Sequence, residues 1–289
     1  MSGPGRTERG VALIAALWVL ALLSALLVGF ASTTRTETVL ARNLLDLAHA
    51  RHLADGAIQM TALRLIGTGP ASRLRVDGAP FETNVDGFPV RVQVFDEGGR
   101  IDLNAAPEEL LVALFIAVGA PASEARALAR NIADWREEAE DGGRLARLYA
   151  AAGHPGAPRA RPFAHVGELA HILGMRAEWL ERARPLVTVL NGQDGVDPAS
   201  APVEVLAALP GLDPRTVRSI VERRPPAFHR QQLGDPDLGP AEIHARPSRG
   251  VGFLVRAELA LAPGRIFRRE AQVVLLGSGR EPFRIVDLR

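Results

Sequence analysis

Residues 11–31 read VALIAALWVLALLSALLVGFA, a run of 21 residues with no charged side chain. As a helix this run is about 30 Å long, the hydrocarbon thickness of a bilayer. The helical pattern continues beyond it. Between Thr33 and Ile66 there is no proline and a single glycine, Gly56, while Leu40, Leu44, Leu47, Ala54, Ile58 and Leu65 recur at spacings of 4, 3, 7, 4 and 7. These positions form one apolar stripe at the helical period. Gly67, Gly69 and Pro70 end it. The spacing predicts one helix from Val11 to Ile66, about 84 Å long. Its first half suits lipid, and its second half would pack one face on a soluble domain. A leader, Met1 to Gly10, carries Arg6 and Arg9 against Glu8. The positive-inside rule puts it on the cytoplasmic side and the rest of the chain on the far side.

Strand signals follow. Phe88-Pro-Val-Arg-Val-Gln-Val-Phe95 alternates Val90, Val92 and Val94 with polar residues, and Asp86-Gly87 suits a hairpin turn before it. Alternation returns only near the C-terminus, in Phe253–Leu261, Arg269–Leu276 and Phe283–Val286, with Ala262-Pro-Gly-Arg265 as a turn. Between Asp96 and about Gly250 the pattern is helical. The simplest account is one sheet split in sequence by a helical insertion.

The insertion contains a repeat. Ile101-Asp-Leu-Asn-Ala-Ala-Pro107-Glu-Glu-Leu-Leu-Val-Ala-Leu114 aligns with Val196-Asp-Pro-Ala-Ser-Ala-Pro202-Val-Glu-Val-Leu-Ala-Ala-Leu209. Each reads as a turn opened by an aspartate, a proline at the first helical position, and an apolar helix. A second helix follows each, over Ala122–Arg136 and Pro214–Arg224. Asp102 and Asp197 are read as the acids that open and cap these turns, not as a catalytic pair.

Composition narrows the function classes. All 34 basic residues are arginine and 33 acids balance them, so neither a nucleic-acid footprint nor a polybasic membrane patch is implied. Cysteine is absent, which removes disulfides and thiolate metal sites. His49/His52 and His165/His171 lack the spacing of a zinc-protease helix. There is no nucleophile elbow, phosphate loop or nucleotide fingerprint. No enzyme is expected.

A secretory signal has a shorter apolar core and a cleavage site after it; here a glycine stands immediately before a full-length run. The Gly10–Val11 junction resembles the class III signal of type IV pilins and type II secretion pseudopilins. That resemblance implies cleavage between Gly10 and Val11 by a prepilin peptidase, then methylation of the new amino group on Val11. The fifth residue after the cut is Ala15, where most pilins carry glutamate. A glutamate in the membrane is costly unless paired, so a subunit without it fits a filament position that has no neighbour to pair with. Among pseudopilins this is the habit of the minor pseudopilin K family. Asp96-Glu-Gly-Gly-Arg-Ile-Asp-Leu-Asn104 and Ala133-Asp-Trp-Arg136 are also similar to that family.

The implied fold is α+β: a long N-terminal pilin-type helix packed on a small antiparallel sheet, with an inserted all-α domain of sterile-alpha-motif-like helical hairpins. The corresponding boundaries are 1–10 (leader), 11–31 (transmembrane part of the helix), 32–96 (helix and first strands), 97–249 (insertion) and 250–289 (closing strands). The implied role is structural: a single-pass inner-membrane subunit with periplasmic domains, at the tip of the pseudopilus of a type II secretion system. Its implied partners are minor pseudopilins of the I and J types, the prepilin peptidase and the inner-membrane secretion platform.

No cofactor is required by this reading; calcium is the one candidate ion. The family binds calcium in its helical domain, and Asp134-Trp-Arg-Glu-Glu-Ala-Glu-Asp141 gathers carboxylates before two glycines. Asp134, Glu137, Glu138 and Asp141 are the candidate ligands, although Arg136 interrupts the spacing. A solvated acidic helix end explains the same residues.

One rival reading is a membrane-anchored DNA-binding or uptake protein, because Leu209-Pro-Gly-Leu-Asp-Pro-Arg-Thr-Val-Arg-Ser-Ile-Val-Glu-Arg223 resembles a helix-hairpin-helix unit. Such units turn backbone amides toward a phosphate. Here Asp213 puts a carboxylate where the phosphate would lie, and Gly195–Arg224 holds four arginines against four acids. No nucleic-acid partner is expected. A membrane-anchored hydrolase is a third reading, for which no convergent catalytic set is present.

Overall fold

Helix α1 runs from Thr7 to Ile66 and stops where Gly67, Gly69 and Pro70 break the pattern. The computed structural model describes residues 7–136, 147, 149–153, 161–224, 238–262, 264–277 and 281–288, with side chains undescribed at 7–12, 28–36 and 287–288. The chain divides into two units, Met1–Leu53 with Ala260–Phe267, and Ala54–Leu259 with Arg268–Arg289.

In the first unit, the described side chains of α1 from Leu13 to Leu27 and from Glu37 to His49 are all exposed. The predicted stripe is therefore divided. Leu40, Leu44 and Leu47 are 57%, 58% and 40% exposed, whereas Ala54, Ile58 and Leu65 are fully buried.

Apart from the Ala260–Phe267 tip, the second unit holds a five-stranded sheet, β1(Phe81–Val85), β2(Phe88–Asp96), β5(Gly252–Ala262), β6(Arg265–Leu275) and β7(Phe283–Leu288), in the order β1-β2-β5-β6-β7. The β1–β2 turn is Asp86-Gly87, both in the left-handed region at φ 51° and 86°. Strands β2 and β5 pair antiparallel from Arg91↔Glu258 to Asp96↔Phe253, so sequence-distant segments are direct neighbours. Alternation sends Val90, Val92 and Val94 to the buried face beside Phe253, Val255 and Ala257. The C-terminal part of α1 covers that face. Gly56 permits the approach, since a Cβ there would stand 3.0 Å from Val85 Cγ1. Asp55 also pairs with Arg269 at 2.6 Å. The opposite face is a ladder of ion pairs, Arg256–Glu270 and Arg268–Glu258, with Arg256 over the Phe95 ring.

The insertion contains α2(Glu108–Ala117), α3(Ala122–Arg136), α4(Ala177–Ala183), α5(Val203–Ala208) and α6(Pro214–Arg223), with short 3₁₀ turns between them. Its core includes Leu110, Leu114, Phe115, Leu128, Ile132, Val205 and Leu206. Two expectations are corrected here. The insertion is not all-α: β3(Ile101–Asp102) pairs in parallel with β4(Val187–Thr188). Pro107 and Pro202 precede their helices as extended N-cap residues, at ψ 156° and 151°, rather than opening them. Their carbonyls accept the first helical hydrogen bonds, from Leu110 and Leu111 and from Val205 and Leu206.

Candidate functional site

Three places bear on function: the head of α1, the two repeats of the insertion, and the segment after α3. At the head of α1, Gly10 and Val11 are helical, and their side-chain surroundings lie outside the described residues. Beyond them Leu13, Leu17, Trp18, Leu20, Leu23 and Leu27 are each more than half exposed. Apolar groups on every side of a helix have no core of their own to enter. Among the described residues no helix meets the length and apolarity needed to cross a membrane; the run 11–31 is described only in part.

The two repeats share one local geometry. Asp102 Oδ1 accepts from Asn104 N–H, and its backbone carbonyl accepts from Ala105 and Ala106. Asp197 Oδ1 accepts from Ala199 N–H, and its carbonyl accepts from Ser200 and Ala201. These are turns in which an aspartate substitutes for backbone. Burial pushes both carboxyls above the usual range. Each turn is closed by an arginine from the end of the second helix. Arg136 Nη1 donates to the carbonyls of Leu103 and Ala106, both at 2.9 Å. Arg224 Nη2 donates to Pro198 and Ala201 at 2.7 and 3.0 Å. In each repeat these are the first and fourth residues after the aspartate. A parallel bridge follows each entry residue, Ile101↔Val187 and Val196↔Ala245.

The two phrases similar to the pseudopilin K family thus acquire physical roles. In Ala133-Asp-Trp-Arg136, Trp135 stacks on Phe163 at 5.8 Å and Arg136 closes the turn. In Asp96–Asn104, Asp96 caps a 3₁₀ turn through Gly98 N–H, and Glu97 pairs with Arg100 at 2.7 Å. Asn104 grips the backbone of Phe163, donating to its carbonyl and accepting from its N–H. Asn191 donates to the carbonyls of Gly98, Arg100 and Gly195, a hub that sequence reading misses because Gly98 and Arg100 are so distant along the chain.

Of the four candidate calcium ligands, Asp134 is half-buried on α3, and Glu137, Glu138 and Asp141 lie outside the described residues. Among the described residues no group of three or more acidic, histidine or cysteine side chains is placed to hold a metal. In the hairpin between α5 and α6, Gly211 turns at φ 81° and Asp213 caps α6. The Asp213 carboxylate accepts from the N–H groups of Arg215 and Thr216 and from the Thr216 hydroxyl. Those bonds hold its pKa below the usual carboxylate range. The amides that a phosphate would need are thus taken by a fixed negative charge.

Residues 93–192 match the family described as "Type II secretion system (T2SS), protein K". No curated protein matches the chain significantly. Among solved structures, a chain of the GspK-GspI-GspJ complex from the type 2 secretion system of enterotoxigenic Escherichia coli has the same fold. Its TM-score is 0.59 at 19% identity, covering 89% of this chain and 98% of that one. With the family match in the insertion and the fold shared over most of its length, this chain resembles minor pseudopilin K, protein K of the type II secretion system.

Proposed function

We propose that the chain is a minor pseudopilin, a structural subunit without turnover that joins the tip of a short periplasmic filament in a type II secretion system. The observation that carries this reading is the exposure along α1. Apolar side chains from Leu13 to Leu27 and again at Leu40, Leu44 and Leu47 face no core among the described residues. In lipid, the first group would be solvated by acyl chains, and small residues such as Ala15, Ala16 and Ala25 would let neighbouring helices approach closely. The second group lies beyond the proposed membrane span and is free to pack on the helices of other subunits.

In this reading Met1–Gly10 is the cytoplasmic leader, cut after Gly10, and Val11 carries the methylated amino group. Residues 11–31 anchor the mature chain in the inner membrane and its domains are periplasmic. The solved relative was crystallised with GspI and GspJ, which supports minor pseudopilins of those types as partners here. The insertion would cap the tip and limit addition above it. Calcium, if held, would be bound by Asp134 with Glu137, Glu138 and Asp141, whose oxygens suit a hard cation.

The test is the intact mass and N-terminal peptide of the full chain, expressed with and without a prepilin peptidase. Peptidase-dependent loss of Met1–Gly10, leaving N-methylated Val11, is the expected result. An uncut chain, or a cut beyond the apolar run, overturns the processing assignment.

A further inference from the structure

Asn191 and Gly192 stand shortly after β4, just before the second repeat, and form the one Asn-Gly pair of the chain. The other asparagines, Asn43, Asn84, Asn104 and Asn131, are followed by Leu44, Val85, Ala105 and Ile132. Asparagine before glycine is the pair most prone to deamidate, because no side chain hinders attack of the next backbone nitrogen on the asparagine Cγ. That nitrogen loses its proton and closes a five-membered succinimide as ammonia leaves. Water then opens the ring to aspartate or isoaspartate. One water is consumed, one ammonia is released, and nothing is oxidised or reduced.

The fold demands both residues and blocks the reaction between them. Gly192 turns the chain in the left-handed region at φ 65°, where a residue with a Cβ is strained. Asn191 is 7% exposed. Its Nδ2 lies 3.1 Å from the carbonyl oxygens of Arg100 and Gly195 and 3.4 Å from that of Gly98. Swinging Cγ onto the Gly192 nitrogen would break these bonds. The attacking nitrogen is engaged as well: Gly192 N–H donates to Asp102 Oδ2 at 2.7 Å, and Asp102 is 1% exposed. An amide is far too weak an acid to hand its proton to a carboxylate. Removing that proton would set an anionic nitrogen against a buried carboxyl oxygen, away from the water that must open the ring.

We propose that Asn191 is a modification site opened only by unfolding: it resists deamidation in the folded insertion, converts when the insertion unfolds, and thereafter prevents the fold from re-forming. The product makes the step a one-way record. Aspartate at 191 presents acceptors alone to three carbonyl oxygens that need a donor. Arg100, whose carbonyl is one of the three, has its guanidinium on Glu97 at 2.7 Å. Isoaspartate adds a methylene to the backbone between β4 and the second repeat. Either product removes the tie from the insertion's entry, at Gly98 and Arg100, to Gly195 at the start of the second repeat. A chain that has lingered unfolded is thereby withdrawn, whatever it would assemble with.

The test follows the full chain in detergent micelles at mildly alkaline pH, folded and in concentrated urea. Peptide mass spectrometry reads the conversion of amide to acid at each asparagine, and a synthetic peptide of residues 187–196 gives the unhindered rate. Asn191 should convert near the peptide's rate in urea and at least about 100-fold more slowly in the folded chain, because a buried element opens that rarely. Asn84 and Asn104 should keep their amides in both. After partial conversion and dilution from urea, the protease-resistant fraction should hold Asn191 as the amide, with the acid form confined to the sensitive fraction. Equal rates in the folded and unfolded chain overturn the closed site, and equal shares of acid in the two fractions overturn the block on refolding. If the chain does not refold from urea, Asn191→Asp made directly in cells decides the second point. A protease-sensitive insertion supports the block, and a wild-type digestion pattern overturns it.

Discussion

Arg136 and Arg224 occupy equivalent places in the two repeats, each spanning with one guanidinium nitrogen the carbonyls one and four residues after the aspartate that opens the turn. The equivalence identifies the repeats as one device used twice: an aspartate opens a turn, a proline starts a helix, and an arginine at the end of the next helix closes the turn. A charge-assisted bond does this well because two carbonyls share one donor and neither is left bare.

Arg136→Ala and Arg224→Ala should each destabilise the insertion by about 2–3 kcal/mol, the range for hydrogen bonds to charged groups whose partners are then orphaned. Urea denaturation followed by the fluorescence of Trp135 and Trp179, both in the insertion's core, measures the loss. A change within about 0.5 kcal/mol in either variant would show that its turn closes without the arginine.

Gly99 lies against the backbone of Ser200 and Ala201, where an added Cβ would collide. Gly99→Ala is expected to cost about 1–3 kcal/mol, because backbone on both sides must move. By contrast Gly69, which has open space at its Cβ position, should accept alanine with little change. Thermal melts of the two variants side by side separate crowding from a general effect of losing glycine.

Asp213 has a depressed pKa because its hydrogen bonds favour the carboxylate. Its contribution is present above the unfolded value of about 3.9 and fades as pH falls below it. Asp213→Asn should keep most of the cap while removing this acid-side loss. Helicity recorded from pH 5 to pH 2.5 should fall less steeply in the variant, and matching curves would refute the assignment. Because Asn also frees a negative charge from the hairpin, the same protein offers a fair trial of DNA binding. No retention of duplex DNA at low salt is the expected outcome.

Replacing Gly10 with a bulky residue should block peptidase processing and secretion but leave membrane insertion intact, since the apolar run is unchanged. Carbonate extraction and the mass of the N-terminal peptide read the two effects independently. Normal processing of the variant would falsify the class III signal.

Local signals were legible where a residue's conformation or period decides its environment. The end of α1 follows from Gly67, Gly69 and Pro70, and the inward face of β2 follows from Val90, Val92 and Val94. Asp86-Gly87 marks its turn because both residues take positive φ. The repeat was readable for the same reason, each copy carrying aspartate and proline at fixed offsets. The alternation also placed the strands on either side of the insertion in one sheet, as β2 and β5 are, but the individual contacts between distant segments were not legible. The β3–β4 pair is two residues long on each side, too short to show alternation. Arg136 looked like an interruption of an acidic loop, and its partners Leu103 and Ala106 lie in the turn before α2. The prolines sit one place earlier than predicted, because their carbonyls, not their fixed φ alone, begin the helices.

The pairing of Asp96 with Phe253 means that everything from Glu97 to Gly252 occupies the place of a hairpin turn. A disordered loop of that length would weaken the strand pair, by about 0.6 kcal/mol for every doubling over a short turn. A folded module with its own core and adjacent ends removes most of that penalty. The strand pair therefore requires of the module that its two ends lie side by side, and the close contact of Gly252 with Leu190 and Glu97 fixes how the module meets the strand. Grafting a two-residue turn between β2 and β5 would leave a plain hairpin of those two strands.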